Sequence, residues 1–237
     1  MNDPRSAFPY GSPTQLGVRP AVELSTAFLS QAFTWMFAGL LLTAGVAFLA
    51  QGSEALLRFT LNSVWLLFIG QLALVFVISG AINRIGATVA LGLFFLYAAS
   101  LGLTIGLIVT AYTGESVAAA FFSAGAMFGG AAIYGRVTRR SLARIGGYVT
   151  MGVIGLFVAM IVNIFLGSSP LGYVISVGGV ILFTVLTAFD VQRIAAGDLA
   201  ARYGSMEKAA VIGALHLYLD FINIFLFLLR IMGSNRD

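Results

Sequence analysis

The chain has 237 residues, 59% of them apolar, and carries 13 Lys and Arg against 9 Asp and Glu. An average soluble domain is about one-quarter charged, so a water-soluble globule of this composition is excluded. The absence of cysteine also excludes disulfide frameworks, thiolate metal sites and cysteine nucleophiles. The net charge of +4 rests on arginines at the edges of apolar runs, where topology accounts for them, and no nucleic-acid partner is expected.

A helix crossing ~30 Å of hydrocarbon takes about 20 apolar residues. Residues 1–22 hold Pro4, Pro9, Pro13 and Pro20 and read as a flexible cytoplasmic tail, followed by an apolar run too long for a cleaved signal peptide. A transmembrane domain over 23–233 follows, with spans predicted at about 28–50, 61–83, 87–111, 116–135, 146–166, 171–193 and 209–230, and a short tail at 234–237. The fifth and sixth spans lie in one uncharged run, Ile145–Phe189, divided by the turn-forming cluster Gly167-Ser168-Ser169-Pro170-Leu171-Gly172. The expected fold class is an all-α integral membrane protein, a seven-transmembrane-helix bundle. The longest polar connection runs roughly from Arg193 to Lys208, so no soluble domain is expected. Gly102-xxx-Gly106 and Gly125-xxx-Gly129 predict two places where helix backbones approach closely.

With the N-terminus inside, one side of the membrane holds Arg5, Arg19, Arg84, Arg136, Arg139, Arg140, Arg144, Arg193, Arg202 and Lys208. The other holds Arg58, Arg230 and Arg236. By the positive-inside rule the tail is cytoplasmic and the C-terminus lies outside.

The polar groups inside or beside the spans carry the functional information. Asp220 lies 11 residues into an apolar run, roughly 16 Å deep at 1.5 Å per residue, where an aspartate costs ~2.5–3.5 kcal/mol. His216, Asp220 and Asn223 follow i, i+4, i+7 spacing and share one helix face. Asp190 stands near the cytoplasmic end of the preceding span, where it also reads as a helix-end charge with Arg193 as its i+3 partner. Two carboxylates a few ångströms apart in a weakly polar medium do not both ionise comfortably, and such a pair shares a proton and acts as a proton switch. Arg84 is the candidate positive partner that orients it. His216 and Asn223 are candidate modulators, Gln71 and Asn163 candidate interhelical glue, and Glu54 and Glu115 acids of the outer side. Whether the two carboxyl groups meet depends on how far the sixth helix continues before it turns.

The run Ala214-Leu-His-Leu-Tyr-Leu-Asp220-Phe-Ile-Asn223-Ile-Phe-Leu-Phe-Leu-Leu-Arg230-Ile-Met-Gly233 closely resembles the signature of the bacterial branch of the Bax inhibitor-1 (transmembrane Bax inhibitor motif) family. Thr187-Ala-Phe-Asp190-Val-Gln-Arg193 resembles that family's sixth-helix motif. The resemblance implies a bundle whose C-terminal helix is central and surrounded by the other six. It also implies a pH-sensitive calcium leak gated by two aspartates with an arginine partner, at Asp190, Asp220 and Arg84, with leak increasing on acidification. Leu107 stands where many members have a proline, Phe189 where Tyr is common, and His216 where a small polar residue is common.

The reading that follows is a calcium-permeable leak channel of the bacterial cytoplasmic membrane. Asp190 and Asp220 serve as gate and as weak, transient Ca2+ ligands; the partners are the lipid bilayer, Ca2+ and protons, and no cofactor is bound. Two alternatives share these residues: a proton-coupled cation exchanger, and a non-transporting regulator that binds membrane proteases or other membrane-protein partners. An intramembrane aspartyl protease would also place one Asp on each of two late spans. Leu217-Tyr218-Leu219 stands where a Gly-x-Gly would precede the second Asp, and no proline follows Pro170, so no enzyme is expected.

Overall fold

A computed structural model describes residues 22–234. The predicted tails at 1–22 and 234–237 therefore fall almost wholly outside the described residues. Among the described residues the chain forms nine α-helices and no strand: α1 (Val22–Gln51), α2 (Glu54–Asn62), α3 (Val64–Ala81), α4 (Ala87–Val109), α5 (Gly114–Val137), α6 (Ala143–Leu166), α7 (Ser169–Ala195), α8 (Asp198–Tyr203) and α9 (Met206–Met232). Seven of these, α1, α3, α4, α5, α6, α7 and α9, are long and apolar enough to cross a membrane. The protein is an all-α membrane protein.

Two short helices occupy connections. α2 starts at Ser53, whose side chain accepts the Leu56 N–H, and Glu54 pairs with Arg58 at 2.7 Å one turn on. α8 fills part of the polar stretch between Arg193 and Lys208. Gly197 (φ 76°) and Gly204 (φ 63°) flank it in the left-handed region, and the turn they make tucks Leu199 into the core. The predicted break between the fifth and sixth spans is only two residues long. Gly167 ends α6 at φ 59°, and Ser168 caps α7, where Pro170 sits in the first turn.

The side chains between helices show which ends lie together. Lys208 Nζ donates to the Asn83 carbonyl, so α9 begins beside the α3–α4 connection. Gln192 joins the end of α7 to the α5–α6 connection. At the opposite end, the Thr113 N–H reaches the Ser234 carbonyl and the Ser234 N–H reaches Ser116 Oγ, placing the close of α9 beside the α4–α5 turn.

α9 is the most enclosed span: 78% of its apolar window is buried, against 11% for α3 and 6% for α6. It packs on α1, α4, α5, α7 and α8, while α3 packs chiefly on α4 and α6 on α7. Burial of this kind follows from small residues at crossings. A Cβ added to Gly102 would lie 2.7 Å from Val46 Cβ, and one added to Gly106 would lie 2.8 Å from Ala50 Cβ, so this pair sets the α1–α4 contact as predicted. Gly125 and Gly129 do not behave this way: a Cβ added at either would meet nothing within 4 Å. The close approach on α5 is made instead by Gly135, whose backbone rests on the Ala188 carbonyl of α7. α4 runs unbroken through Leu107.

Candidate functional site

α7 and α9 run past each other in opposite directions, and their polar groups meet as two rungs one helical turn apart. Thr187 and Asp190 are spaced i, i+3 on α7; His216 and Asp220 are spaced i, i+4 on α9, so each pair occupies one face. The outer rung joins Asp190 Oδ2 to His216 Nδ1 at 3.5 Å. The inner rung joins Asp220 to the Thr187 hydroxyl, with Asp190 within electrostatic reach of Asp220. No hydrogen bond links the two carboxyl groups directly, and Asp220 Oδ2 has no partner.

Exposure falls steadily along this ladder. The His216 and Arg193 side chains are 28% and 26% exposed, Asp190 is 7%, and Asp220 as a residue is 1%. Asp190 Oδ1 also meets Arg193 Nη1 at 3.6 Å, one turn toward the helix end. At 3.6 Å the arginine pair is a charge contact rather than a well-formed hydrogen bond, and His216 Nδ1 makes no hydrogen bond. The Thr187 hydroxyl beside Asp220 also lies within hydrogen-bond distance of the Phe183 carbonyl, at 2.8 Å.

The neighbouring residues of α7 hold the outer rung in place. The Arg193 guanidinium lies 5.3 Å from the centre of the Phe189 ring, and that ring fills the space a side chain at Gly146 would need. Gln192 accepts from the Leu142 N–H at 2.7 Å and donates to the Arg140 carbonyl at 2.9 Å, fixing the α5–α6 connection against α7. Gln192 went unnoticed in the sequence because its partners are backbone groups 50 and 52 residues away.

The structure does not bring Arg84 to the pair. α3 ends at Ala81, and Arg84 lies exposed in the tight turn before α4, with no ion pair to either aspartate among the described residues. The arginine that does reach Asp190 is Arg193, one turn along the same helix. Asn223 turns back to its own helix, donating to the Leu219 carbonyl at 2.7 Å, and does not join the ladder. Gln71 does bridge helices, donating to Thr104 Oγ1 at 2.9 Å, whereas Asn163 Oδ1 is buried without a partner. Glu115 is exposed in the first turn of α5.

α9 carries a second polar group at this depth. The Tyr218 hydroxyl donates to Thr43 Oγ1 at 2.6 Å, because the Thr43 proton is committed to the Ala98 carbonyl at 2.9 Å. The Phe94 and Tyr97 rings meet Tyr218 edge-on at 5.5 and 5.9 Å. This knot ties α1, α4 and α9 together.

The family model described as Inhibitor of apoptosis-promoting Bax1 matches residues 25–237, nearly the whole chain. The chain belongs to the Bax inhibitor-1 family. It is 43% identical over 226 residues to the inner membrane protein YbhL of Escherichia coli K12, covering 92% of this chain and 96% of that one. It is 45% identical over 211 residues to a protein of Deinococcus radiodurans (89% and 91%). It is 38% identical over 221 residues to one of Borreliella burgdorferi (91% and 95%). In this Bax inhibitor-1 family member, the α7–α9 ladder is made by the two segments that carry the family resemblance.

Proposed function

We propose that this protein is a pH-sensitive, calcium-permeable leak channel of the bacterial cytoplasmic membrane, N-terminus inside and C-terminus outside, gated where α7 meets α9. The observation that carries the proposal is a pair of buried carboxyl groups on facing turns of adjacent membrane helices, one beside Arg193 and His216 and the other holding an oxygen with no partner. Charge left unpaired in such a medium is costly, so the contact is stable only while protons are suitably placed.

The gate is the pair of carboxyl groups where α7 meets α9: two such groups close together in a weakly polar medium do not both ionise comfortably, so the contact between the helices depends on the proton they share. Ca2+ prefers six to eight oxygens, and two carboxyl groups with carbonyls and water make a site weak enough for an ion to leave.

Purified protein in liposomes loaded with a Ca2+ dye, followed from about pH 5 to 8, tests this. Wild type should leak faster as pH falls, and Asp220→Asn should leak at a rate that no longer depends on pH. Uphill Ca2+ movement driven by a proton gradient would make the protein an exchanger, and no flux at any pH would leave the regulator.

A further inference from the structure

α5 and α6 both pack on α7 and make far less contact with one another, so a groove runs between them with α7 as its floor. The connection 138–142 closes it at one end. Gly135 of α5 rests on Ala188, while Phe189 and Leu182 lie against Gly146 and Gly152 of α6. At about 100° per residue, Ala188 falls roughly 40° to one side of Val174 around α7, and Phe189 and Leu182 fall roughly 60–80° to the other. Val174, Gly178 and Ile181 lie between these two contacts and are exposed, and a Cβ added at Gly178 would meet nothing within 4 Å.

The closed end of the groove is positively charged. Arg139, Arg140 and Arg144 are exposed on or beside the connection, and Arg136 stands in the last turn of α5. No acid occurs in the chain between Glu115 and Asp190, and among the described residues no ion pair joins Arg139, Arg140 or Arg144 to an acid. Orienting the spans asks only that positive charge lie on this side. Here the charge is also held in place. Gln192 of α7 grips the Arg140 carbonyl and the Leu142 N–H, Thr138 Oγ1 accepts the Arg140 N–H at 3.4 Å, and Leu142 is buried. Tyr134 and Tyr148, exposed on α5 and α6 within about a turn of these arginines, are the aromatic side chains of a membrane–water interface.

We infer that this groove holds an anionic phospholipid, its headgroup on Arg139, Arg140 and Arg144 and an acyl chain along Ile181, Gly178 and Val174. Charge selects the head. Guanidinium forks match a phosphate, and with no acid in the cluster nothing there answers the ammonium of a zwitterionic lipid. Length selects a lipid over a soluble phosphate. Ile181 and Gly178 stand eight and eleven residues from Phe189 along α7, roughly 12 and 16 Å at 1.5 Å per residue, and one leaflet is ~15 Å deep. An acyl chain descending from a headgroup at the arginines therefore passes both. This binding requires no Ca2+ flux, so it stands apart from the leak.

Delipidated full-length protein in detergent, titrated with dioleoyl phosphatidylglycerol or dioleoyl phosphatidylethanolamine and followed by native mass spectrometry, tests this. Wild type should retain the glycerol lipid over the ethanolamine lipid. Arg144→Gln should weaken the glycerol lipid roughly fivefold, the usual worth of one arginine at an anionic surface. The double change Arg139→Gln with Arg144→Gln should remove most of the preference, whereas Arg84→Gln with Arg202→Gln, which deletes two exposed arginines elsewhere, should keep it. Gly178→Phe fills the floor of the groove and should weaken the glycerol lipid without touching any charge. Equal retention of both lipids by wild type overturns the anionic assignment. A loss in the Arg84 and Arg202 double variant as large as that in the Arg139 and Arg144 one makes the effect net charge alone and overturns the site. Retention unchanged by Gly178→Phe, or glycerophosphoglycerol bound as tightly as the lipid, overturns the groove.

Discussion

Tyr218 and Asp220 stand two residues apart on α9, at 0% and 1% exposure, and about 200° apart around the helix. Their surroundings differ in kind. Tyr218 gives its one proton to Thr43, which passes its own to the Ala98 carbonyl, and two aromatic edges close the rest of the ring. Asp220 has one hydroxyl neighbour, an oxygen with no partner, and a second carboxyl group within electrostatic reach. A saturated buried polar group stabilises one arrangement of the helices. An unsaturated one is held only under particular protonation, and that makes it the place where the arrangement can change.

Substitutions separate these two faces. The largest effect is expected from Asp220→Asn, where the ratio of Ca2+ flux at acid pH to that at neutral pH in liposomes should fall to about one, while thermal stability is kept. Arg193→Gln should act more modestly. It removes the guanidinium that meets Asp190, and the ratio of acid to neutral flux should change by less than in Asp220→Asn. Tyr218→Phe should show the reverse pattern: a loss of about 0.6–1.7 kcal/mol in unfolding stability, as for other buried interhelical hydrogen bonds, with the pH profile of flux unmoved. The smallest effect belongs to Arg84→Ala. Its exposed side chain pairs with neither aspartate, so the same flux assay should give a midpoint unchanged from wild type. A shifted midpoint there would return Arg84 to the gate.

The seven apolar helices were legible because hydrophobic length and the spacing of charges are local properties, and membrane spans are dictated by both. α2 and α8 were not, since short helices beside a membrane carry ordinary polar sequence. In the site, Asp190, Asp220 and His216 could be singled out because charge within an apolar run is costly wherever it folds. The i+3 spacing from Asp190 to Arg193 was legible too, but it did not decide between Arg193 and Arg84. Arg84 and Arg193 both border a span, and only the continuation of α7 to Ala195 decides that Arg193 stays on Asp190's face while Arg84 falls in a turn. Gln192 and Tyr218 were silent for a related reason: each bonds to groups on other helices, and a glutamine at a helix end or a tyrosine in an apolar run has many ordinary readings. Gly125 shows the converse, a small-residue motif with open space at its Cβ position, while the close contact of α5 is made at Gly135.

The claim on which the rest depends is that Asp190 and Asp220 act as one unit. A double-mutant cycle on pH-dependent Ca2+ flux in liposomes, comparing wild type, Asp190→Asn, Asp220→Asn and the double variant, measures this directly. If the two share one switch, each single change removes the pH dependence and the double variant loses no more than either alone. Independent effects that add, with each single variant keeping part of the pH response, would contradict it.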